Sequence, residues 1–360
     1  MLRLAINGFG RIGRTAFRIA YDMPGVEVVA VNDLVDVRIL SYLLNYDTVY
    51  GEYERLVSAE HNGVVVASEE VTYPNEYFSE FEKEKKNEDY LLVDGRRIHV
   101  FSEKDPGNLP WKELDIDVVL ECTGVFADFE KAKVHLEAGA KKVILSASGK
   151  GEGKTMIFGT PSLDQDISSD IISNASCTTN CVAPVMAILD ENFGVESSWM
   201  TTIHSYTADQ NTVDGPHHED LRRGRAAAGN IVPTTTGAAI TAAKVVPTLE
   251  EKFDGIAVRV PTLSVSLAIM TAVMKKPVTV EEVNQIFQSE SQTIKYKGIV
   301  SCVASPKVSS DFKKDPHSAI VDLALTNVVN RNLLTVFAWY DNEWGYASRL
   351  VEMAQKMGSD

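Results

Sequence analysis

The chain has 360 residues, with 50 acidic side chains against 35 lysines and arginines and a formal net charge of −15 at pH 7. That balance excludes a protein built mainly to hold nucleic acid, whose phosphate backbone requires clustered positive charge. At 44% hydrophobic and 24% charged residues the composition is that of a folded globular protein, not of a disordered, collagen-like or coiled-coil chain.

A chain of this length is expected to fold as two domains. Four cysteines, Cys122, Cys177, Cys181 and Cys302, cannot form a dense disulfide framework, and no two make a Cys-x-x-Cys pair. A reducing, cytoplasmic setting is the expectation. The N-terminus turns polar at Asn7-Gly8 and no apolar run reaches about 18 residues, so neither a secretory leader nor a membrane span is expected.

In chain order, residues 2–6 read as a short apolar strand, followed at once by glycines and then by Ala16, Phe17, Ile19 and Ala20 at helical spacing. Residues 27–31 form the next strand. The alternation returns with a strand at 117–120, a helix at 129–138 and a strand at 142–145, which is the pattern of a doubly wound parallel sheet covered by helices. Residues 60–89 stand apart, with nine acids against three lysines, a net −6, and interleaved aromatics; they read as a surface excursion with a helix near 77–86. Beyond about residue 195 the stretches 199–204, 263–274, 318–326 and 334–341 are rich in strand formers, which predicts a second, α+β domain. Residues 344–357 carry apolar side chains on helical spacing and read as a closing helix.

Gly8-Phe9-Gly10-Arg11-Ile12-Gly13 fits G-x-G-x-x-G between a strand and a helix. Gly8 permits the tight turn, Gly10 lets a pyrophosphate approach the backbone, and Gly13 lets helix and strand pack closely, while the helix N-terminus offers N–H donors to the phosphates. Asp33 ends the second strand 20 residues after Gly13. A carboxylate there accepts from ribose hydroxyls and repels a 2′-phosphate, which favours NAD over NADP. Ser176 and Cys177 precede Val182, Val185, Met186 and Leu189 at i, i+3, i+4, i+7, so Cys177 falls in the first turn of a helix. The N-terminal end of a helix dipole is expected to lower its pKa and make a thiolate nucleophile. Read alone, Cys177 fits equally well as a small core hydrophobe, and Cys181, one turn further on, as a buried spectator. His204, at the end of a strand, is a candidate acid/base partner; by itself it would equally be a satisfied core histidine. Ser176, Thr178, Thr207, Arg223, Thr236, Gly237 and Arg259 supply the hydroxyls, backbone N–H and guanidinium forks that a phosphate requires.

At this point the chain resembles the phosphorylating glyceraldehyde-3-phosphate dehydrogenases. The stretches that carry the resemblance run in order along the whole sequence: Asn7-Gly8-Phe9-Gly10-Arg11-Ile12-Gly13-Arg14, Val31-Asn32-Asp33-Leu34, Ala175-Ser176-Cys177-Thr178-Thr179-Asn180-Cys181, His204-Ser205-Tyr206-Thr207, Arg259-Val260-Pro261-Thr262 and Tyr340-Asp341-Asn342-Glu343-Trp344-Gly345-Tyr346.

The resemblance implies a Rossmann-type NAD-binding domain over 1–176, an α+β catalytic domain with a mostly antiparallel sheet over 177–342, and a C-terminal helix in 343–360 that packs back on the first domain. It implies oxidation of glyceraldehyde 3-phosphate with NAD and inorganic phosphate to 1,3-bisphosphoglycerate in glycolysis, through a thiohemiacetal and a thioester on Cys177, with His204 as base and no metal. Arg11, Ile12, Asp33, Lys104, Thr123 and Asn342 then resemble cofactor contacts. Thr207 and Arg259 resemble the substrate-phosphate site, and Ser176, Thr178, Arg223, Thr236 and Gly237 a second anion site. A homotetramer is implied, with no nucleic acid or membrane as partner. Two features depart from the pattern. The acidic 60–89 stretch is longer than the hairpin usual there, and residues 308–322 also resemble the sister erythrose-4-phosphate dehydrogenases, whereas Tyr206-Thr207 and Thr234-Thr235-Thr236-Gly237 follow the glyceraldehyde-phosphate pattern.

Overall fold

The structure, a computed structural model, describes residues 1–71, 89–164 and 169–358; the expected helix near 77–86 lies outside them. The first sheet is built from β1 (Leu2–Asn7), β2 (Val26–Asn32), β3 (Val57–His61), β4 (Val64–Ala67), β5 (Asp89–Val93), β6 (Arg96–Phe101), β7 (Val118–Glu121), β8 (Lys142–Leu145), β9 (Lys154–Thr155) and β10 (Ile171–Ser173). Its order is β4-β3-β5-β6-β2-β1-β7-β8-β10-β9. The run β6-β2-β1-β7-β8-β10 is parallel throughout. Numbered along the chain, it has the 3-2-1-4-5-6 order of a dinucleotide-binding domain, whose ligand crevice opens where the order reverses, beside β1. The antiparallel strands β3, β4 and β5 extend one edge beyond the expected doubly wound core.

Strand β1 is apolar at Leu2, Leu4, Ala5 and Ile6, where both faces are covered. Leu2, Leu4 and Ile6 meet Phe17 and Ala20 of α1 (Arg11–Asp22) and Leu350, Met353 and Met357 of the last helix, while Ala5 joins Trp111, Ile116 and Val119 on the other side. Between these lie α2 (Val37–Asn45) and α3 (Phe129–Glu137), each started by an aspartate, Asp36 or Asp128, whose carboxylate accepts a first-turn N–H.

The second sheet comprises β11 (Val195–Ser205), β12 (Val232–Thr235), β13 (Phe253–Val260), β14 (Ser266–Met274), β15 (Val300–Val303), β16 (Ala319–Asp322), β17 (Asn327–Val329) and β18 (Leu333–Tyr340). It is ordered β12-β13-β11-β14-β18-β16-β15, with β17 on β18, and is mostly antiparallel; β11–β13 and β15–β16 run parallel. Alternate residues of β14 are buried, so one face packs on α4 (Cys177–Phe193), α5 (Ala238–Val245) and α6 (Val280–Glu290). The stretch expected at 263–274 begins as strand only at Ser266, because Val265 takes a left-handed φ of 69° and turns the chain. Helix α7 (Trp344–Met357) coincides with the expected closing helix and packs on α1.

The glycine turn after β1 is set by close backbone approach. Gly8 has φ 92°, and a Cβ there would lie 2.7 Å from the Thr123 backbone nitrogen; a Cβ on Gly13 would overlap the Gly8 carbonyl oxygen. Gly13→Ala should therefore lower the thermal unfolding midpoint by the equivalent of about 2–3 kcal/mol. Gly10→Ala, with nothing within 4 Å of the added carbon, should cost well under half of that. Equal melting losses for the two variants would contradict this packing.

Candidate active site

Ser176 is the N-cap of α4, and its Oγ accepts the Thr179 N–H at 3.1 Å, so Cys177 occupies the first helical position. The loop before it is fixed by unusual means. Ala175 is fully buried with a left-handed φ of 54°, its carbonyl accepts the Tyr346 hydroxyl of α7 at 2.8 Å, and the Asn180 amide donates to the Asn174 carbonyl at 2.7 Å. A non-glycine residue held left-handed stores strain that the surrounding bonds must maintain. Cys177 is half-buried and packs against both main cores, whereas Cys181 is fully buried, as expected of a spectator.

His204, near the end of β11, places Nε2 3.5 Å from the Cys177 sulfur. Its Nδ1 lies 2.7 Å from the Ser205 carbonyl and 3.0 Å from the Arg259 guanidinium. The shorter contact assigns the ring proton to Nδ1, donated to Ser205, and turns the Nε2 lone pair toward the thiol. Burial pushes the Cys177 thiol up, opposed by the positive charge of Arg259 and by hydrogen bonds at Thr178. Burial and then Arg259 push the His204 imidazole down to about 3. Burial thus opposes the pKa depression expected from the helix end, Arg259 and the hydrogen bonds at Thr178 reinforce that depression, and the Nε2 lone pair faces the sulfur.

Arg259 donates to the Ser205 carbonyl at 3.1 Å and to the Thr207 hydroxyl at 3.2 Å, which brings Arg259, Thr207, His204 and Cys177 into one continuous set. Arg223 has its own hydrogen-bonded group and acts on Arg259 through its charge. Its guanidinium is bonded to Thr234 Oγ1 at 2.9 Å and to the carboxylates of Asp209 and Glu219 at 3.2 and 3.3 Å. Thr236 Oγ1 accepts the Ala238 N–H, and Gly237 starts α5 without a side-chain cap, leaving backbone donors open. Two residues expected to face an anion turn their hydroxyls elsewhere: Ser176 caps its helix, and Thr178 bonds the Tyr340 hydroxyl at 3.0 Å. Tyr340 also reaches Thr202 Oγ1 at 2.8 Å and packs edge-on to the His204 ring, a supporting position that sequence spacing gave no way to find.

The residues of the glycine turn fit a dinucleotide. Gly10 caps α1 with open space where a Cβ would sit and no side-chain cap, so no capping side chain occupies the N–H groups of the first turn. Asp33 holds the turn by accepting the Phe9 N–H at 2.7 Å and remains half-exposed at the end of β2, as ribose recognition requires. Thr123 abuts Gly8, and its hydroxyl donates to Glu121. Lys104 is exposed on a loop that Asn32 ties to the end of β2 through both backbone groups of Glu103, at 2.9 and 2.8 Å. The Arg11 side chain points away from the turn, paired with Asp47 and Glu343; burial opposes its charge, but these carboxylates outweigh it and hold the proton more firmly than usual. Only the Arg11 backbone is therefore available to a cofactor. Asn342 is buried next to Glu343, its amide oxygen accepting from Ser205 and Ser266, each at 3.0 Å.

A doubly wound dinucleotide domain set against a cysteine–histidine pair is the arrangement of an NAD-dependent oxidoreductase with a thiol as candidate nucleophile. Residues 2–81 and 77–129 match the family model "Glyceraldehyde 3-phosphate dehydrogenase, NAD binding domain", and residues 176–342 match "Glyceraldehyde 3-phosphate dehydrogenase, C-terminal domain". The chain is 44% identical over 359 residues to "Glyceraldehyde-3-phosphate dehydrogenase 2" of Bacillus subtilis (99% of this chain, 97% of the relative). It is 45% identical over 363 aligned positions to "Glyceraldehyde-3-phosphate dehydrogenase" of Mycobacterium avium (99% and 98%), and 42% identical over 356 residues to "Glyceraldehyde-3-phosphate dehydrogenase 1" of Kluyveromyces lactis (99% and 99%). The chain belongs to the glyceraldehyde 3-phosphate dehydrogenase family, and its cofactor is NAD.

Because the Arg259 charge favours the thiolate, Arg259→Leu should move the pH profile of Cys177 alkylation by iodoacetamide, followed by mass spectrometry, to higher pH. A profile that stays in place or moves to lower pH would show that Arg259 does not support the thiolate.

Proposed function

We propose that this chain catalyses the NAD-dependent oxidation and phosphorylation of glyceraldehyde 3-phosphate to 1,3-bisphosphoglycerate in the cytoplasm, with the 3.5 Å approach of Cys177 to His204 as the observation that carries the reading. As the Cys177 sulfur adds to the aldehyde carbon, His204 Nε2 takes the thiol proton and returns it to the new alkoxide, giving a thiohemiacetal. His204 then removes that hydroxyl proton while the carbon gives up hydride, leaving a thioester. When bound, the nicotinamide of NAD supplies the hydride acceptor. An oxygen of inorganic phosphate attacks the thioester carbon, the carbon–sulfur bond breaks, and the acyl phosphate leaves Cys177 as a sulfur anion, which His204 reprotonates.

In this reading Gly8, Gly10, Gly13, Ile12, the Arg11 backbone, Asp33, Lys104 and Thr123 form the cofactor cradle and Asn342 meets the nicotinamide. Thr207 and Arg259 hold the substrate phosphate. Arg223, Thr236 and Gly237 hold the second anion, Arg223 exchanging its exposed carboxylate partners for phosphate; such pairs are weak enough to exchange. Ser176 and Thr178 contribute through the backbone at the start of α4. The cradle falls in a unit 1–176, the start of α4 and the second sheet in a unit 177–342, and the closing helix in 343–360.

The phosphorolytic step is tested by following NADH at 340 nm with glyceraldehyde 3-phosphate, NAD and inorganic phosphate, the absorbance being that of reduced nicotinamide. Sustained turnover should need phosphate or arsenate. A steady rate unaffected by either anion would overturn the step, and faster turnover of erythrose 4-phosphate on the same preparation would favour the sister activity. Cys177→Ser should cost at least about 10⁴-fold in kcat and His204→Asn about 10²–10⁴-fold, while Cys181→Ser should retain activity if it folds.

The face of the second sheet away from its helices carries Ile203, Leu267, Ile269, Val273, Phe337 and Trp339, all half-buried and uncharged. A second copy of this chain covers that face in the assembly we propose, a homotetramer. Light scattering should return four times the chain mass of 39.5 kDa, and Ile269→Asp should reduce it. A monodisperse monomer at micromolar concentration would refute the assembly.

A further inference from the structure

We propose that Ser205 and Ser266 fix the rotation of the Asn342 side-chain amide and thereby decide which of its two ends meets the nicotinamide carboxamide; this rests on the reading of Asn342 as a cofactor contact. An asparagine amide presents an acceptor oxygen and a donor nitrogen of nearly equal size, so packing alone does not choose between the two orientations. Here hydrogen bonding chooses. Both serine hydroxyls donate to Oδ1 at 3.0 Å, and the Ser266 oxygen in turn accepts the Ser205 backbone N–H at 3.2 Å, which leaves its proton for Asn342. Ser205 is fully buried, and Ser266 and Asn342 are nearly so, so these bonds are shielded from competition by water. Rotating the amide would set its N–H2 against the Ser266 oxygen, which already accepts the Ser205 backbone N–H, and would leave the Ser266 proton without its acceptor.

With Oδ1 committed, Nδ2 has no partner among the described residues and is the end offered to a ligand. It can only donate, so it selects the carboxamide oxygen of the nicotinamide and not its N–H2. The three residues come from three elements: Ser205 ends β11, Ser266 begins β14, and Asn342 lies between β18 and α7. Asn342 is held from the other side as well. Asp341 accepts the Glu343 and Trp344 N–H groups at 3.0 Å together with the Tyr50 hydroxyl at 2.7 Å and the Ser264 hydroxyl at 3.0 Å, which pins the backbone and leaves only the amide rotation for the serines to set. Anchoring the carboxamide on one side of the pyridine ring also determines which ring face meets the carbon bonded to Cys177. Ser205 and Ser266 are thus positioning residues for hydride transfer, acting through Asn342.

The test compares Ser205→Ala, the Ser205→Ala/Ser266→Ala double variant and Asn342→Ala with the parent enzyme. NAD is assayed alongside 3-acetylpyridine adenine dinucleotide, whose acetyl group accepts a hydrogen bond but cannot donate one. Product NADH from the 1-deuterated aldehyde is analysed for the ring face that carries deuterium. The parent should use both cofactors through the same donor and label one face. In the double variant the amide is free to turn and can offer either end, so the KM for the acetyl analogue should rise about twofold relative to that for NAD, which alone can use the acceptor end, while the labelled face stays that of the parent. Loss of stability alone would not change the ratio. Ser205→Ala leaves the Ser266 acceptor for the Ser205 backbone intact and should show a smaller change of the same sign, which keeps the test decisive if the double variant fails to fold. If Asn342→Ala alters affinity and face while both serine variants match the parent, the lock is wrong and the Asn342 contact stands. If Asn342→Ala also matches the parent, the underlying reading of Asn342 fails.

Discussion

The start of α4 lies on the seam between the two cores of the molecule, and the chemistry of the site depends on its being held there. Cys177 touches the apolar cluster under each sheet, so a shift of either sheet moves the sulfur. The loop that feeds it, with Ala175 forced left-handed, is tied to α7 through Tyr346 and to its own helix through Asn180. Helix α7 thereby braces Cys177, the proposed nucleophile, although it packs mainly on the first sheet and α1. A reacting atom on packed elements is held more accurately than one on a free loop.

The electrostatics of the site set desolvation at Cys177 against the charge of Arg259. Arg259 stands where it favours negative charge on sulfur and opposes positive charge on His204. A similar economy operates at the nucleotide end. The carboxylate of Glu121, buried at the end of β7, accepts from Asn7 at 2.6 Å, from the Thr123 backbone at 2.8 Å and from His135, whose other ring nitrogen accepts the Trp111 N–H at 3.2 Å. Those donors satisfy a charge that would otherwise be very costly to bury, and in doing so they orient the ends of β1 and β7 on either side of Gly8.

Much of this was legible in the sequence because it is written in local patterns. The glycine turn, Asp33, the apolar stripe after Cys177 and the closing helix 344–357 each occupy a short window in which spacing alone specifies backbone geometry. Features made by residues far apart were not legible. The bonds that join Ser205 and Ser266 to Asn342 span 137 and 76 positions, and Tyr340 meets Thr178 across 162. The antiparallel strands β3 to β5 were hidden because their pattern runs into the acidic stretch. The direction of the Cys177 shift depended on how deeply the helix start is buried, which no one-dimensional pattern reports. The strand expected over 318–326 ends at Asp322, whose carboxylate takes the Trp339 indole N–H at 3.0 Å and the Ala324 N–H at 3.2 Å, turning the chain early.

The packing of α7 against α1 and β1 also governs the order in which the protein can assemble. Leu2, Leu4 and Phe17 share a core with Leu350, Met353 and Met357, so the first domain to leave the ribosome cannot close its own interior until the final turns have been synthesised. Until then its nascent form presents the apolar side of β1 and α1 to water. Folding is consequently coupled across nearly the full length of the chain, and that half-finished surface is where chaperone capture or aggregation would compete with it.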